Sequence, residues 1–94
     1  MKKIVPKERK QAAVLQYDAV RDAAPVVVAL GQGLLAERII EKARESDVPV
    51  VENTGLSQML QALSVGDAIP PKLYQAVAQV FVFIYHMDQE YKEK

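Results

Sequence analysis

The fold class is decided by residues 25–52, which read PVVVALGQGLLAERIIEKARESDVPVVE. The run Val26–Leu30 is β-branched and continuously apolar, a pattern typical of a central strand that is covered on both faces. After two glycines, apolar residues recur at helical spacing over about 34–46, and Pro49–Glu52 gives a second buried strand. This order of elements predicts a β-α-β unit.

The flanking sequence adds one strand and two helices. The apolar run Ala12–Tyr17 predicts a strand. A helix over about 56–63 is expected to be capped by Asn53 or Thr54, and a proline pair opens a last helix over about 71–90. The sequence therefore predicts a small α/β domain, with a mostly parallel sheet of three or four strands and about three helices.

The length and the charge distribution indicate one domain with a distinct N-terminal end. A chain of 94 residues can hold only one compact core, which we place in residues 12–94. Residues 1–11 carry five lysines and arginines against one acid, Glu8. We predict that this basic segment is either mobile or a short edge strand at Ile4–Val5.

The composition excludes several classes of function. Twelve basic residues balance twelve acidic ones, so no strong field attracts nucleic acid or an anionic membrane. The absence of cysteine excludes disulfides, thiol catalysis and cysteine-bound metals, and it fits a reducing cytoplasm. The most apolar segment, Val77–Tyr85, is far shorter than the roughly 20 residues of a membrane-spanning helix. We therefore expect a cytoplasmic location.

One local pattern suggests a phosphate site. Residues 31–36, GQGLLA, fit the G-x-G-x-x-G/A pattern between a strand and a helix, and Glu52 follows about 20 residues later. A complete dinucleotide site uses two β-α-β-α-β halves, whereas this chain has one β-α-β unit. We interpret Gly31 and Gly33 as residues that allow the turn from strand to helix. A small nucleotide- or phosphate-binding module that uses this turn remains the alternative function.

No constellation of residues indicates catalysis. His86 is the one histidine of the chain, and a lone histidine cannot form a metal site by itself. The serines lie outside any nucleophile-elbow pattern, and the acids follow no metal-loop spacing. We predict that the protein is not an enzyme and that it holds neither a metal nor a cofactor.

Five segments in order resemble the cytoplasmic domain of the FlhB/YscU family of flagellar and type III export proteins. Each segment is short, but together their order and spacing extend over residues 12 to about 87. The resemblance implies a fold like that of the FlhB cytoplasmic domain, here as a stand-alone copy. The matching segments are 13–18 (AVLQYD), 23–29 (AAPVVVA), 33–40 (GLLAERII), 48–53 (VPVVEN) and 69–78 (IPPKLYQAVA).

The resemblance also predicts that this chain does not cleave itself. Family members carry Asn-Pro-Thr-His just before the strand that corresponds to Gln11–Tyr17. There the asparagine amide attacks its own carbonyl and releases the proline nitrogen. The residues aligned with this motif are Lys7, Glu8, Arg9 and Lys10. Lysine has no carboxamide, and the one asparagine of the chain, Asn53, precedes a threonine.

Finally, the resemblance implies a docking surface and its partners. In the family, export substrates dock on an apolar surface beside an Ala-Ala-Pro segment and the last helix. The matching positions are Ala24, Pro25, Ala78 and Phe81. The implied partners are export substrates, export-apparatus proteins and the membrane half of a full-length FlhB. The implied role is to bind substrates or dock on the membrane-bound apparatus and to influence the switch in substrate specificity.

Overall fold

The structure, a computed structural model, describes residues 2–92, with side chains to residue 86. Its elements confirm a small α/β domain with three α-helices. In chain order they are β1 (Lys2–Glu8), β2 (Gln11–Tyr17), β3 (Val26–Gln32), α1 (Leu34–Glu45), β4 (Val50–Glu52), α2 (Thr54–Gln61), a 3₁₀ turn (Pro71–Leu73) and α3 (Tyr74–Lys92).

The four strands form one mixed sheet in the order β3-β2-β1-β4. β2 is antiparallel to both β1 and β3, and only the β1–β4 pair is parallel. The prediction of a mostly parallel sheet is wrong in this respect. The reason is the tight turn at Arg9–Lys10, because a connection of two residues can join only antiparallel neighbours.

β1 corrects the prediction for the N-terminal segment. This seven-residue strand lies inside the sheet, between β2 and β4, so it is neither an irregular tail nor an edge strand. Ile4, Val5 and Pro6 are buried, and the Val5 N–H donates to the Pro49 carbonyl at 2.9 Å. Lysines flank this apolar triplet on both sides. Because they dominate the composition of the segment, the sequence did not indicate that the triplet belongs to the core.

β3 lies at an edge of the sheet, which corrects the prediction of a central strand. The segment 66–69 covers part of its outer side. There the Val27 N–H donates to the Asp67 carbonyl at 2.8 Å, and the Gly66 N–H donates to the Val27 carbonyl at 2.7 Å. The predicted β-α-β unit is present, but β3 and β4 are the two opposite edges, and α1 connects them across β2 and β1.

Alternating residues of the strands enter two separate hydrophobic clusters, one on each face of the sheet. Ile4, Ala13 and Leu15 belong to a cluster with residues of α2 and α3, on what we call the α2/α3 face. Val5 and Ala12 belong to a smaller cluster with Ala36 and Ala43 of α1, on the α1 face. The two faces therefore differ in size and in the helices that cover them.

The helix boundaries follow from local capping. α2 begins after Asn53, whose side-chain Oδ1 accepts the Leu56 N–H at 3.1 Å, as the sequence predicts. α1 ends in a Schellman-type motif, in which the Val48 N–H donates to the Ala43 carbonyl at 2.8 Å. The residue that makes this reversal possible is Asp47, which adopts a left-handed conformation with φ 58°.

We expect Asp47→Gly to stabilise the domain by about 0.5–1 kcal/mol, because glycine adopts a left-handed conformation without the steric strain of a Cβ atom. Urea denaturation measures the change in the free energy of unfolding. The matched control is Ser46→Gly at the preceding position, where φ is −98° and glycine only adds chain entropy to the unfolded state. Equal effects of the two substitutions would contradict the assignment of strain to Asp47.

Candidate functional site

The principal groove is an open cavity of about 620 Å³ on the α2/α3 face. One wall is formed by residues 17–20, at the end of β2, and the floor is formed by residues 23–25. The other wall is formed by α3, through positions 74, 77, 78, 81 and 82. These five positions share one face of a helix because they are spaced by three and four residues.

All four predicted docking residues line the principal groove. Ala24 is buried in its floor and is 7% exposed, whereas Ala78 is exposed on α3. Pro25 and Phe81 are half-buried between them. The structure thus brings together two short segments that are more than fifty residues apart, although their role in docking remains a prediction.

An aromatic pair joins the two walls of the groove. The ring centroids of Tyr17 and Phe81 lie 6.3 Å apart, with an angle of 55° between the ring planes. This is a favourable geometry for two aromatic rings, and it holds the end of β2 against α3. Sequence reasoning did not assign Tyr17 to the site. Its alternation with Leu15 along β2 could have placed it on the same face.

A self-contained turn fixes the rim of the groove. The Asp18 carboxylate accepts the Val20 N–H at 3.0 Å, and the Asp22 carboxylate accepts the Asp18 N–H at 3.2 Å. The Asp22 N–H donates to the Asp18 carbonyl at 2.8 Å. These bonds hold Val20 outward, where it is 94% exposed beside the groove. Aspartates favour such turns, and this signal could have drawn attention to Val20.

The chemistry of the groove suits binding. Its described lining is apolar except for Lys2 and Asp18 and the hydroxyls of two tyrosines, and it includes no serine or histidine. The small side chains of the Ala23–Pro25 floor leave room for the side chains of another chain. The walls are set by hydrogen bonds and ring packing, so the groove exists before a partner arrives, which limits the entropy that binding costs.

The residues aligned with the cleavage motif form the β1–β2 hairpin. Lys7 and Glu8 end β1 and pair with Ala12 and Gln11, so that Arg9 and Lys10 make the turn. The Lys7 carbonyl accepts the Asn53 N–H at 2.8 Å, and the Lys10 carbonyl accepts the Gly33 N–H at 2.9 Å. Lys2, at the other end of β1, lines the principal groove. The hairpin therefore lies roughly 17 Å from the groove, at about 3.3 Å per strand residue.

Packing and backbone conformation account for the two glycines of the G-x-G-x-x-A pattern. A Cβ atom on Gly31 would lie 2.8 Å from Ile39 Cδ1 and 3.1 Å from the Ala36 backbone nitrogen. Gly33 has φ 60° and ψ −129°, a combination that side chains disfavour. Glu52 ends β4 at the opposite edge of the sheet, three strand spacings or roughly 14 Å from β3. The described geometry therefore gives no observation that favours a nucleotide site.

Metal ligands and membrane-spanning helices are two further features that bear on the class of site. Among residues 2–86, whose side chains the structure describes, no group of three or more histidine, aspartate or glutamate side chains is placed to hold a metal ion. The helices described in the structure also include none with the length and apolar character needed to cross a bilayer.

Sequence comparison relates the chain to bacterial export proteins. A model described as the FlhB HrpN YscU SpaS family matches residues 8–84. The uncharacterized protein YlqH of Bacillus subtilis is 41% identical over 85 residues, which cover 90% of this chain and 91% of YlqH. The flagellar biosynthetic protein FlhB of Aquifex aeolicus is 42% identical over 74 residues, which cover 78% of this chain. The match covers 21% of that relative, so the chain spans about a fifth of its length.

Structural comparison gives the same result. The cytoplasmic domain of FlhB from Shewanella putrefaciens matches with a TM-score of 0.92 and 31% identity, over 96% of this chain and 70% of that chain. The EscU C-terminal domain matches with a TM-score of 0.83 and 27% identity, over 85% of this chain and 75% of that chain. These likenesses confirm the predicted fold of the FlhB cytoplasmic-domain type.

We expect Gly31→Ala to destabilise the domain by about 1–3 kcal/mol, because the new Cβ has to displace Ile39 and the backbone of α1. Chemical denaturation measures the loss. The matched control is Gly55→Ala, where the nearest atom, Asn53 Oδ1, lies 3.9 Å from the new Cβ, and we expect no loss there. Unchanged stability of the Gly31 variant would contradict the packing explanation and would favour the phosphate-binding interpretation of the pattern.

Proposed function

Because this chain belongs to the FlhB HrpN YscU SpaS family, we propose that it is a non-enzymatic, protein-binding component of flagellar or type III export. It binds export substrates, or docks on the export apparatus, through the principal groove. Its partners are then export substrates, apparatus proteins and the membrane half of a full-length FlhB. It acts on the cytoplasmic side of the membrane, at the apparatus, and influences the switch in substrate specificity.

The observation that supports this proposal is the meeting of two distant segments in one apolar groove. The family resemblance marks Ala24 and Pro25 in the floor and Ala78 and Phe81 in the α3 wall, and all four line this groove. A groove of about 620 Å³ accommodates a few side chains of a short segment rather than a whole domain. Binding of this kind is weak and reversible, as sequential handling of many substrates requires.

Phe81 is the residue at which this groove differs from the pattern of the family. The family usually has an aliphatic residue at this position, whereas the bulkier Phe81 packs against Tyr17 in the lining of the groove. The aromatic pair also offers a flat, apolar surface for aromatic or long aliphatic side chains of a bound segment. We therefore propose that the chain recognises the same class of apolar segments as its relatives, with a different preference for side-chain size.

The same proposal holds that the polypeptide remains in one piece. Lys7 occupies the position of the asparagine whose side chain would attack the backbone, and its ammonium group cannot form a succinimide. Glu8, which occupies the position of the proline, sits in the regular β1–β2 ladder opposite Gln11. Neither the nucleophile nor the proline nitrogen as leaving group is present at this bond.

We expect purified protein to give a single mass, that of the whole polypeptide, after prolonged incubation, because no carboxamide precedes the Lys7–Glu8 bond. Intact-mass spectrometry under denaturing conditions makes the measurement. Lys7→Asn alone and the doublet Lys7→Asn/Glu8→Pro are the matched variants, of which the doublet restores the Asn-Pro bond. A fragment that begins at Glu8 in the unmodified protein would refute this part of the proposal.

We expect Ala78→Asp to weaken the binding of rod and hook export subunits by about tenfold or more, because a carboxylate would have to be desolvated in an apolar groove. Biolayer interferometry with purified subunits measures the affinity. Ala78 is exposed, so the substitution leaves the core intact, unlike a charge at the buried Ala24.

The control for this experiment is Gln79→Asp at the adjacent position, which is also exposed on α3 but does not line the groove. This variant adds the same charge to the same helix and should bind like the unmodified protein. Equal losses in the two variants would show that charge, rather than the groove, determines binding. No measurable binding of any export subunit or apparatus protein by the unmodified protein would end the proposal.

A further inference from the structure

A second apolar cavity lies on the α1 face of the sheet. This α1 pocket has a volume of about 390 Å³. Its floor crosses three strands, through Val5 of β1, Val14 of β2 and Ala29 of β3. On the α1 side, the buried residues are small, Ala36 and Ala43, and the larger Ile39 is only partly buried beside them.

The rim of the α1 pocket is positively charged, although the chain as a whole has no net charge. Arg38 and Lys42 lie one turn apart on α1, which places their Cβ atoms about 5–6 Å from each other. Lys3 approaches from β1. The described lining includes these three cations and no acid, whereas the principal groove has one cation and one acid.

Two features of the pocket determine what can occupy it. An apolar floor takes aliphatic or aromatic side chains, and three separated cations pair with several carboxylates. A fatty acid offers only one carboxylate, and it needs an enclosed channel for its tail rather than an open floor across three strands. Charge and shape together therefore favour an extended or helical peptide segment that combines apolar and acidic residues.

We propose that the α1 pocket is a second protein-binding site, which takes an acidic and apolar segment of a partner. The apolar side chains of that segment lie on Val14 and Ala29, and its carboxylates pair with Arg38, Lys42 and Lys3. The two sites lie on opposite faces of the sheet, since the principal groove adjoins the cluster of Leu15 and the α1 pocket adjoins that of Val5. Two partners can therefore bind at once, and the domain can hold one beside the other.

The experiment uses a synthetic, fluorescein-labelled peptide in which leucine alternates with glutamate. Fluorescence anisotropy measures its affinity for the unmodified protein and for two charge-reversal variants. Lys42→Glu, on the rim of the pocket, should weaken binding by about tenfold or more. Arg44→Glu is the matched control, because it makes the same charge change on the same exposed helix outside the pocket and should leave the affinity unchanged.

Further arms of the experiment separate this site from the alternatives. A peptide with glutamine in place of glutamate should bind more weakly, and amide NMR shifts on adding the acidic peptide should cluster at Val14, Ala29 and Lys42. Ala78→Asp should not alter this binding, so that failure of the principal groove and failure of the α1 pocket are distinguishable. Circular dichroism shows whether both charge variants keep the fold.

Several results would overturn the proposal. These are equal effects of Lys42→Glu and Arg44→Glu, equal affinity for the glutamine peptide, NMR shifts at Ala78 instead of Ala29, and no saturable binding of the acidic peptide. Binding of dodecanoate at the pocket without binding of the peptide would also overturn it, because the site would then be one for lipid.

Discussion

The structure depends on the pairing of β1 between β2 and β4. β4 has no other partner in the sheet, so without β1 the strand that follows α1 would have nothing to pair with. Ile4 and Val5 point to opposite faces and enter the two hydrophobic clusters. Full burial of such side chains contributes about 1.5–3 kcal/mol each, a large share of the stability of a domain of this size. One short strand thus supports the faces that carry the principal groove and the α1 pocket.

Local periodicity was sufficient to predict most elements but not the order of the strands. The helices α1 and α2, the Asn53 cap and the strand before the first glycine follow from spacing within a few turns of chain. Strand order depends on which distant segments pair, and periodicity holds no information about it. Lys2, Lys3 and Lys7 also made β1 resemble a solvated tail, because composition averages over the buried residues between them.

The candidate site was predictable only where a family pattern marks it. Ala24, Pro25, Ala78 and Phe81 were identified through resemblance, and the fold brings them together. Tyr17 was not assigned to the site because its contact with Phe81 depends on tertiary geometry, whereas Val20 was missed although the turn that exposes it is local. Tyr17 meets Phe81 only after α3 packs on the sheet, and Val20 is turned outward by the hydrogen bonds of Asp18 and Asp22. The cationic rim of the α1 pocket was not predictable either. Lys3 and Lys42 line the same pocket only because the fold brings together β1 and α1, which are distant in the sequence.

The β1–β2 hairpin has a kinetic consequence. If the backbone were cut at this turn, β1 would be a separate peptide. After dissociating from the sheet, it would rebind in a second-order reaction, which slows with dilution. In the uncut chain that we propose, the turn at Arg9–Lys10 keeps β1 tethered next to its place in the sheet, so that closing is a first-order event at an effective concentration of the order of millimolar. In such a chain, closing of the sheet at β1 would be independent of protein concentration, and strand exchange between molecules would be disfavoured.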